Sequence, residues 1–225
     1  MTKQAAVLFD LDGTLLDTAP DLGAAANYVL AKHQRAPLSM AQARQLSSHG
    51  AIGLLKAGFG ETDWANQAQT ELRQQLLDYY QQHICEGTDF FSGIRQALQW
   101  LNQHSIAWGV ITNKPEGLSK QLLAHFPEFE QCAVLVGGDT IAQRKPDPEP
   151  MLLACDTIKV DPLHCLYVGD AERDIAAGNN TNMTTLLALW GYISEQDNIE
   201  LWAADLHCEK SEQLEQTISD WLSKL

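Results

Sequence analysis

Asp10 and Asp12 stand two residues apart in Asp10-Leu11-Asp12-Gly13-Thr14, directly after the apolar run Ala5-Ala6-Val7-Leu8-Phe9. A run without polar alternation reads as a parallel strand buried on both faces, and ligands of open α/β sheets bind beyond the carboxyl ends of such strands. Two carboxylates leaving one strand end repel by roughly 4 kcal/mol at about 4 Å and an effective dielectric near 20. A hard cation relieves that repulsion. All-oxygen ligation suits Mg²⁺, which binds through one or two carboxylates together with water and phosphate. Taken alone, the stretch also fits an acidic turn in which Gly13 supplies a positive φ.

Three later segments add groups that phosphoryl chemistry needs, each behind another apolar run. Thr112-Asn113-Lys114 follows residues 106–111 and offers a hydroxyl, an amide and turn N–H groups for phosphate oxygens. Lys145 lies in Arg144-Lys145-Pro146-Asp147-Pro148, where two prolines stiffen the approach and an ammonium can face a phosphate. Gly169-Asp170-Ala171-Glu172-Arg173-Asp174 follows residues 165–168, with Asp170 at the strand end and Asp174 one helical turn further on the same side.

In that order the four segments resemble the motifs of the haloacid dehalogenase superfamily of phosphatases, over nearly all of the chain. The resemblance implies Asp10 as nucleophile and metal ligand, and Asp12 as general acid and base that also belongs to the metal set. Gly13, Thr112 and Asn113 would contact phosphate beside Asp10 and Lys145. Lys145 would balance charge, Asp170 would complete a Mg²⁺ site, and Asp174 would be a further ligand or a support behind the ligands. A carboxylate nucleophile divides hydrolysis into two steps through an aspartyl-phosphate, and in-line transfer is catalysed mostly by positioning and charge stabilisation. Mg²⁺ and Lys145 supply the positive charge that lets a phosphate dianion enter among carboxylates. A second carboxylate at Asp12 favours phosphate-ester cleavage over dehalogenation, because an alkoxide leaving group needs a proton.

Within the superfamily the chain resembles the phosphoglycolate phosphatase branch through Asp17-Thr18-Ala19-Pro20-Asp21 and Thr112-Asn113-Lys114-Pro115. It is more closely similar to bacterial N-acetylmuramic acid 6-phosphate phosphatases, through Trp108-Gly109-Val110-Ile111, Lys145-Pro146-Asp147-Pro148-Glu149-Pro150, Gly191-Tyr192-Ile193, Asp197-Asn198 and Trp202-Ala203-Ala204-Asp205. Two departures are Ser48-His49, where those enzymes tend to carry glycines, and Thr181-Asn182 in place of Ala-Gly. Asn182 can still take a left-handed helix cap. The resemblance implies a Mg²⁺-dependent phosphatase acting on a small phosphomonoester, N-acetylmuramic acid 6-phosphate or 2-phosphoglycolate. The alternatives are a sugar phosphomutase built on the same core and a non-catalytic binding module that keeps the fold.

Between the first and second motifs the sequence turns helical. Asp17-Thr18-Ala19-Pro20-Asp21 starts one amphipathic helix to about Lys32, Ser39 caps a second through Leu46, and a third runs from Ala51 to Phe59. Thr62-Asp63 opens a longer one whose Ala65, Ala68, Leu72, Leu76, Tyr80 and Ile84 recur every three or four residues. Residues 16–88 therefore read as an all-helical inserted domain, a cap in this superfamily, and residues 1–15 and 89–225 as the core. Helices over 92–104, 116–125, 148–157 and 171–180 alternate with strands over 106–112, 133–137, 164–169 and 184–189, before Asp205-Leu206-His207-Cys208 and a helix over 211–222. Such alternation predicts an α/β fold with a doubly wound parallel sheet and the first strand central. Ser47, Ser48, His49 and Gly50, at the break in the helical insert, are the candidate substrate readers, with Lys114.

With 225 residues, 45% of them hydrophobic, the chain can fill a substantial core. A net charge of −14 argues against nucleic acid and anionic membranes, which recruit Lys and Arg, and for a small-molecule phosphate ester as partner. The five cysteines are odd in number, scattered and without a C-x-x-C pair, which fits reduced thiols. The seven histidines have no metal-ligand spacing. Met1-Thr2-Lys3-Gln4 runs straight into the first strand with no room for a signal peptide, and no apolar run approaches a membrane span, so a cytoplasmic monomer or weak homodimer is expected.

Overall fold

The computed structural model describes residues 5–65 and 67–225; Met1-Thr2-Lys3-Gln4, on which the expectation about a signal peptide rests, lies outside them. The chain divides into two compact units. Leu16–Asp89 forms one, and the residues up to Leu15 with Phe90–Leu225 form the other. The return crossing thus falls one residue later than the sequence boundary.

The larger unit is a six-stranded parallel sheet. Its strands are β1 (Ala6–Phe9), β4 (Ala107–Ile111), β5 (Val134–Val136), β6 (Cys165–Gly169), β7 (Thr184–Ala188) and β8 (Leu206–Cys208), in the order β5-β4-β1-β6-β7-β8. The central place of β1 follows from its composition, since all four residues are fully buried and only an inner strand between helical layers offers that. Ala6 and Leu8 pack with Met151, Ala154 and Ala177 of helices α8 (Glu149–Ile158) and α9 (Glu172–Asn179), while strand alternation sends Val7 and Phe9 to the other face. Helix α6 (Ile94–Gln103) packs on β4 and on α10 (Leu214–Leu222), and α7 (Glu116–Leu123) follows β4.

Register fixes the site. Phe9 of β1 lies opposite Val110 of β4 and Val168 of β6, so these three strands end within one residue of one another. The residues that follow, beginning with Asp10, Thr112 and Asp170, therefore emerge along one edge of the sheet.

The smaller unit contains α1 (Ala19–Lys32), α2 (Met40–Ser47), α3 (Gly50–Phe59), α4 (Glu61–Ala65) and α5 (Gln69–Gln82), with α1 packed on α2, α3 and α5. Ser39 and Gln42 form a reciprocal capping box at the start of α2. The single long helix expected from Thr62 is instead two. The Trp64 carbonyl accepts from the Gln67 amide and the Gln69 side chain rather than continuing an α-helical ladder, and Ala68 leaves helical ψ at 73°. Of the expected stripe, Leu72, Leu76 and Tyr80 are buried, whereas Ala65 and Ala68, at the break, are exposed. Asp21 closes the insert by accepting from the Gly87 and Thr88 amides and the Thr88 hydroxyl at 2.6–3.0 Å. Two-residue strands β2 (Leu16–Asp17) and β3 (Asp89–Phe90) pair as a ribbon that no sequence periodicity announced.

Candidate active site

Asp10 leaves β1 still in sheet register, its amide donating to the Val168 carbonyl at 2.9 Å, and its side chain is buried. The chain then turns sharply. Gly13 adopts φ +91°, and the Leu15 amide returns to the Leu11 carbonyl at 3.1 Å. This turn carries Thr14 toward β6, where its hydroxyl donates to Asp170 Oδ1 at 3.1 Å. The other oxygen of Asp170 accepts from the Tyr192 amide at 2.8 Å, and the Trp190 indole donates to the Thr14 carbonyl at 3.0 Å. Asp170 is thus clamped between the turn after β1 and the loop after β7.

Lys145 is fully buried, and its ammonium reaches Asp10 Oδ1 at 2.8 Å, Asp174 Oδ1 at 2.7 Å, the Ile111 carbonyl at 2.7 Å and the Tyr167 hydroxyl at 2.8 Å. An uncompensated ammonium at that depth would be very unfavourable, and Asp10 and Asp174 share its compensation. Tyr167 donates onward to the Ile111 carbonyl at 2.9 Å. Asp174 accepts from Lys145 on one oxygen and from the Ala171 amide on the other at 3.0 Å, which caps α9.

Asp10, Asp170 and Asp174 each offer a buried carboxylate oxygen, all within 4.8 Å of one another. Three carboxylates against one buried ammonium leave an excess of negative charge, which Arg173 nearby only partly offsets. Burial, then Asp10 and Asp174, push the Asp170 carboxyl up to about 7. Burial likewise raises Asp174 against the pull of Lys145, and burial, Asp174 and Asp10 lift the Tyr167 phenol well above its usual range. A donor set of hard oxygens carrying surplus negative charge is what a divalent cation neutralises, so the residues present fit a metal ion.

Asp12 stands apart from that cluster. Its carboxylate accepts from Lys114 Nζ at 2.9 Å, with the side chain 16% exposed. Lys114, expected at the substrate, is therefore placed on Asp12. Asn113, expected at phosphate, donates its side-chain amide to the Lys145 carbonyl at 3.0 Å. Thr112 is buried at the end of β4, its amide bonded to the Val136 carbonyl and its hydroxyl accepting from the Lys114 amide at 3.1 Å.

In the smaller unit, Ser47 is not a loop residue. It lies in the last turn of α2, buried, and donates to the Ala43 carbonyl at 2.7 Å. Ser48 ends α2, exposed His49 precedes α3, and Gly50 opens α3 at φ +64°. His49 lines an open groove of about 560 Å³ with Leu46, Ile52, Gly53 and Lys56.

The sequence alone does not mark Tyr167, Trp190 or the Tyr192 amide as parts of the site. Tyr167 was hidden inside an apolar strand, where a phenol reads as core. The clamp on Asp170 comes through a backbone amide, which carries no side-chain signature.

The family model described as haloacid dehalogenase-like hydrolase matches residues 7–188. The chain belongs to this family. It is 44% identical over 204 residues to a phosphoglycolate phosphatase of Xylella fastidiosa, covering 91% of this chain and 88% of that one. It is 38% identical over 201 residues to an N-acetylmuramic acid 6-phosphate phosphatase of Pseudomonas aeruginosa, covering 89% and 88%. A crystal structure of a predicted phosphoglycolate phosphatase from Haemophilus somnus shares the fold, with TM-score 0.84 at 22% identity over 97% of this chain and 99% of that one. Among the described residues no helix is long and apolar enough to cross a membrane.

Proposed function

We propose that the chain is a Mg²⁺-dependent phosphomonoesterase whose nucleophile is Asp10 and whose acid and base is Asp12, acting on 2-phosphoglycolate or N-acetylmuramic acid 6-phosphate. The observation that carries this reading is Asp10 at a strand end, held by a buried lysine and grouped with Asp170 and Asp174. The phosphatase names of the relatives at 44% and 38% identity support hydrolysis over the mutase and non-catalytic alternatives.

Lys145 holds Asp10 Oδ1, so the other carboxylate oxygen attacks phosphorus as the ester P–O bond breaks, and Asp12 donates its proton to the departing alkoxide. Asp12 then takes a proton from the water that attacks the aspartyl-phosphate, which regenerates Asp10 and releases inorganic phosphate. The Thr112 hydroxyl and the turn at Gly13 receive phosphate oxygens, and Asn113 serves by fixing the loop that carries Lys145. Asp10 and Asp170 would hold Mg²⁺, and Asp174, engaged on both oxygens, acts from behind by orienting Lys145 and capping α9. When bound, the ion supplies charge neutralisation for the phosphate. The helical unit is assigned the part of a cap, with Ser48 and His49 reading the leaving group.

The test is a phosphate-release screen with Mg²⁺ over N-acetylmuramic acid 6-phosphate, 2-phosphoglycolate, hexose phosphates and nucleotides. One of the first two is expected to lead. A nucleotide at its head would overturn the substrate class, and turnover only in the presence of a sugar bisphosphate would favour the mutase.

A further inference from the structure

Thr112, Asn113 and Lys114 are consecutive, and each reaches a different part of the site. The Lys114 backbone is held on both sides. Its amide donates to the Thr112 hydroxyl at 3.1 Å, and its carbonyl accepts from the Gly138 amide at 2.8 Å. From that fixed stem the ammonium lands 2.9 Å from Asp12 Oδ1, with the Lys114 side chain 6% exposed and that of Asp12 16%. A flexible lysine on the surface would gain little from such a pair, because its rotamer entropy opposes the bond. Here the stem is already ordered by burial, so the contact restrains the carboxylate instead.

Asp12 needs such a restraint. It lies in the turn that the Leu15 amide closes on the Leu11 carbonyl, and as acid and base it must meet first the leaving oxygen and then a water. A displacement of about 1 Å in a reacting group can cost on the order of 10²-fold in rate. We propose that Lys114 is a positioning residue that fixes the Asp12 carboxylate for both proton transfers, rather than a contact to the substrate. This rests on Asp12 being the acid and base. It distributes the segment after β4 into three tasks: Thr112 toward phosphate, Asn113 onto the Lys145 loop and Lys114 onto Asp12.

The experiment is a double-mutant cycle of Lys114→Met and Asp12→Asn, assayed on 2-phosphoglycolate and on its carboxamide, which keeps the phosphate but lacks the carboxylate, with thermal midpoints recorded for every variant. Lys114→Met is expected to lower kcat by about ten- to a hundredfold on both substrates while KM stays within about twofold, the pattern of a misplaced reacting group. Lys114→Arg should restore part of the rate. In the Asp12→Asn background the same substitution should add almost nothing, because residues acting through one another are non-additive. A KM rise confined to the carboxylate substrate would make Lys114 a substrate contact. A full additive loss beside Asp12→Asn, or no loss at all, would equally overturn the proposal. If Lys114→Met does not fold, Lys114→Gln takes its place in the cycle. Unchanged turnover in Asp12→Asn alone would instead remove the acid–base reading beneath it.

Discussion

A Cβ atom on Gly13 would stand 2.3 Å from Oδ2 of Asp170, far inside van der Waals contact. The turn after β1 and the carboxylate after β6 therefore interlock, and Gly13 meets two demands at once, the close approach and a φ of +91°. Gly13→Ala should displace Asp170 and add roughly 1–2 kcal/mol of backbone strain. The expected outcome is loss of most turnover together with at least a tenfold higher Mg²⁺ requirement, read from metal titrations of phosphate release. An unchanged titration would uncouple the turn from the metal site.

Asp10→Asn should remove turnover to the assay background while keeping the fold. The amide is nearly isosteric but a poor nucleophile, and no aspartyl-phosphate can form on it. Because the substitution also withdraws one carboxylate from a cluster with surplus negative charge, the metal-free variant should melt no lower than the parent. Calorimetry with parallel acid-quench trapping of phosphoenzyme checks both, and a trapped phosphoenzyme in the variant would exclude Asp10 as nucleophile.

The raised carboxyl of Asp170 sets a pH dependence. Its ordinary value is 3.8 and burial, Asp10 and Asp174 bring it to about 7 in the folded chain. Between those values the folded protein holds a proton that the unfolded chain has released, so metal-free stability falls as pH rises and levels off above about 7. The thermal midpoint in chelator should drop by several degrees from about pH 5 to about pH 8, at about 2–4 °C per kcal/mol for a chain of this size. Mg²⁺ should restore more at the alkaline end, and Asp170→Asn should flatten the slope. A midpoint that climbs over this interval would contradict the assignment.

The parallel sheet and the edge where Asp10, Thr112 and Asp170 emerge were legible because apolar runs of four to six residues each ended in a polar group, whereas Lys145 lies in a loop well past β5. The left-handed conformation suggested for Asn182 is present at φ 59°. What stayed hidden were long-range pairings with no local pattern. Lys114 reads from the sequence as a substrate contact, and only when β4 and β1 are brought level does its ammonium meet Asp12 across 102 positions of sequence. The helix from Thr62 looked continuous because its apolar spacing is continuous. Local bonds to the Trp64 carbonyl broke it, and periodicity does not report on those.

Under the proposed function the helical unit chooses the substrate, and His49 is the most accessible test of that role. His49 is exposed at the start of α3 and borders the groove with Leu46, Ile52 and Lys56, whereas the Ser47 hydroxyl is already donated within α2. Any direct contact to the leaving group from this break should therefore come from His49 or Ser48 before Ser47. His49→Ala is expected to lower kcat/KM for the best substrate by about tenfold, the loss of one hydrogen bond of about 1–1.5 kcal/mol. A small aryl phosphate should be affected much less, since it lacks the groups that such a contact reads and since remote binding energy orients only substrates that possess them. Ser47→Ala should leave that ratio unchanged and lower the melting temperature slightly. Equal losses on both substrates for His49→Ala would mean that this break serves the integrity of the helical unit rather than recognition.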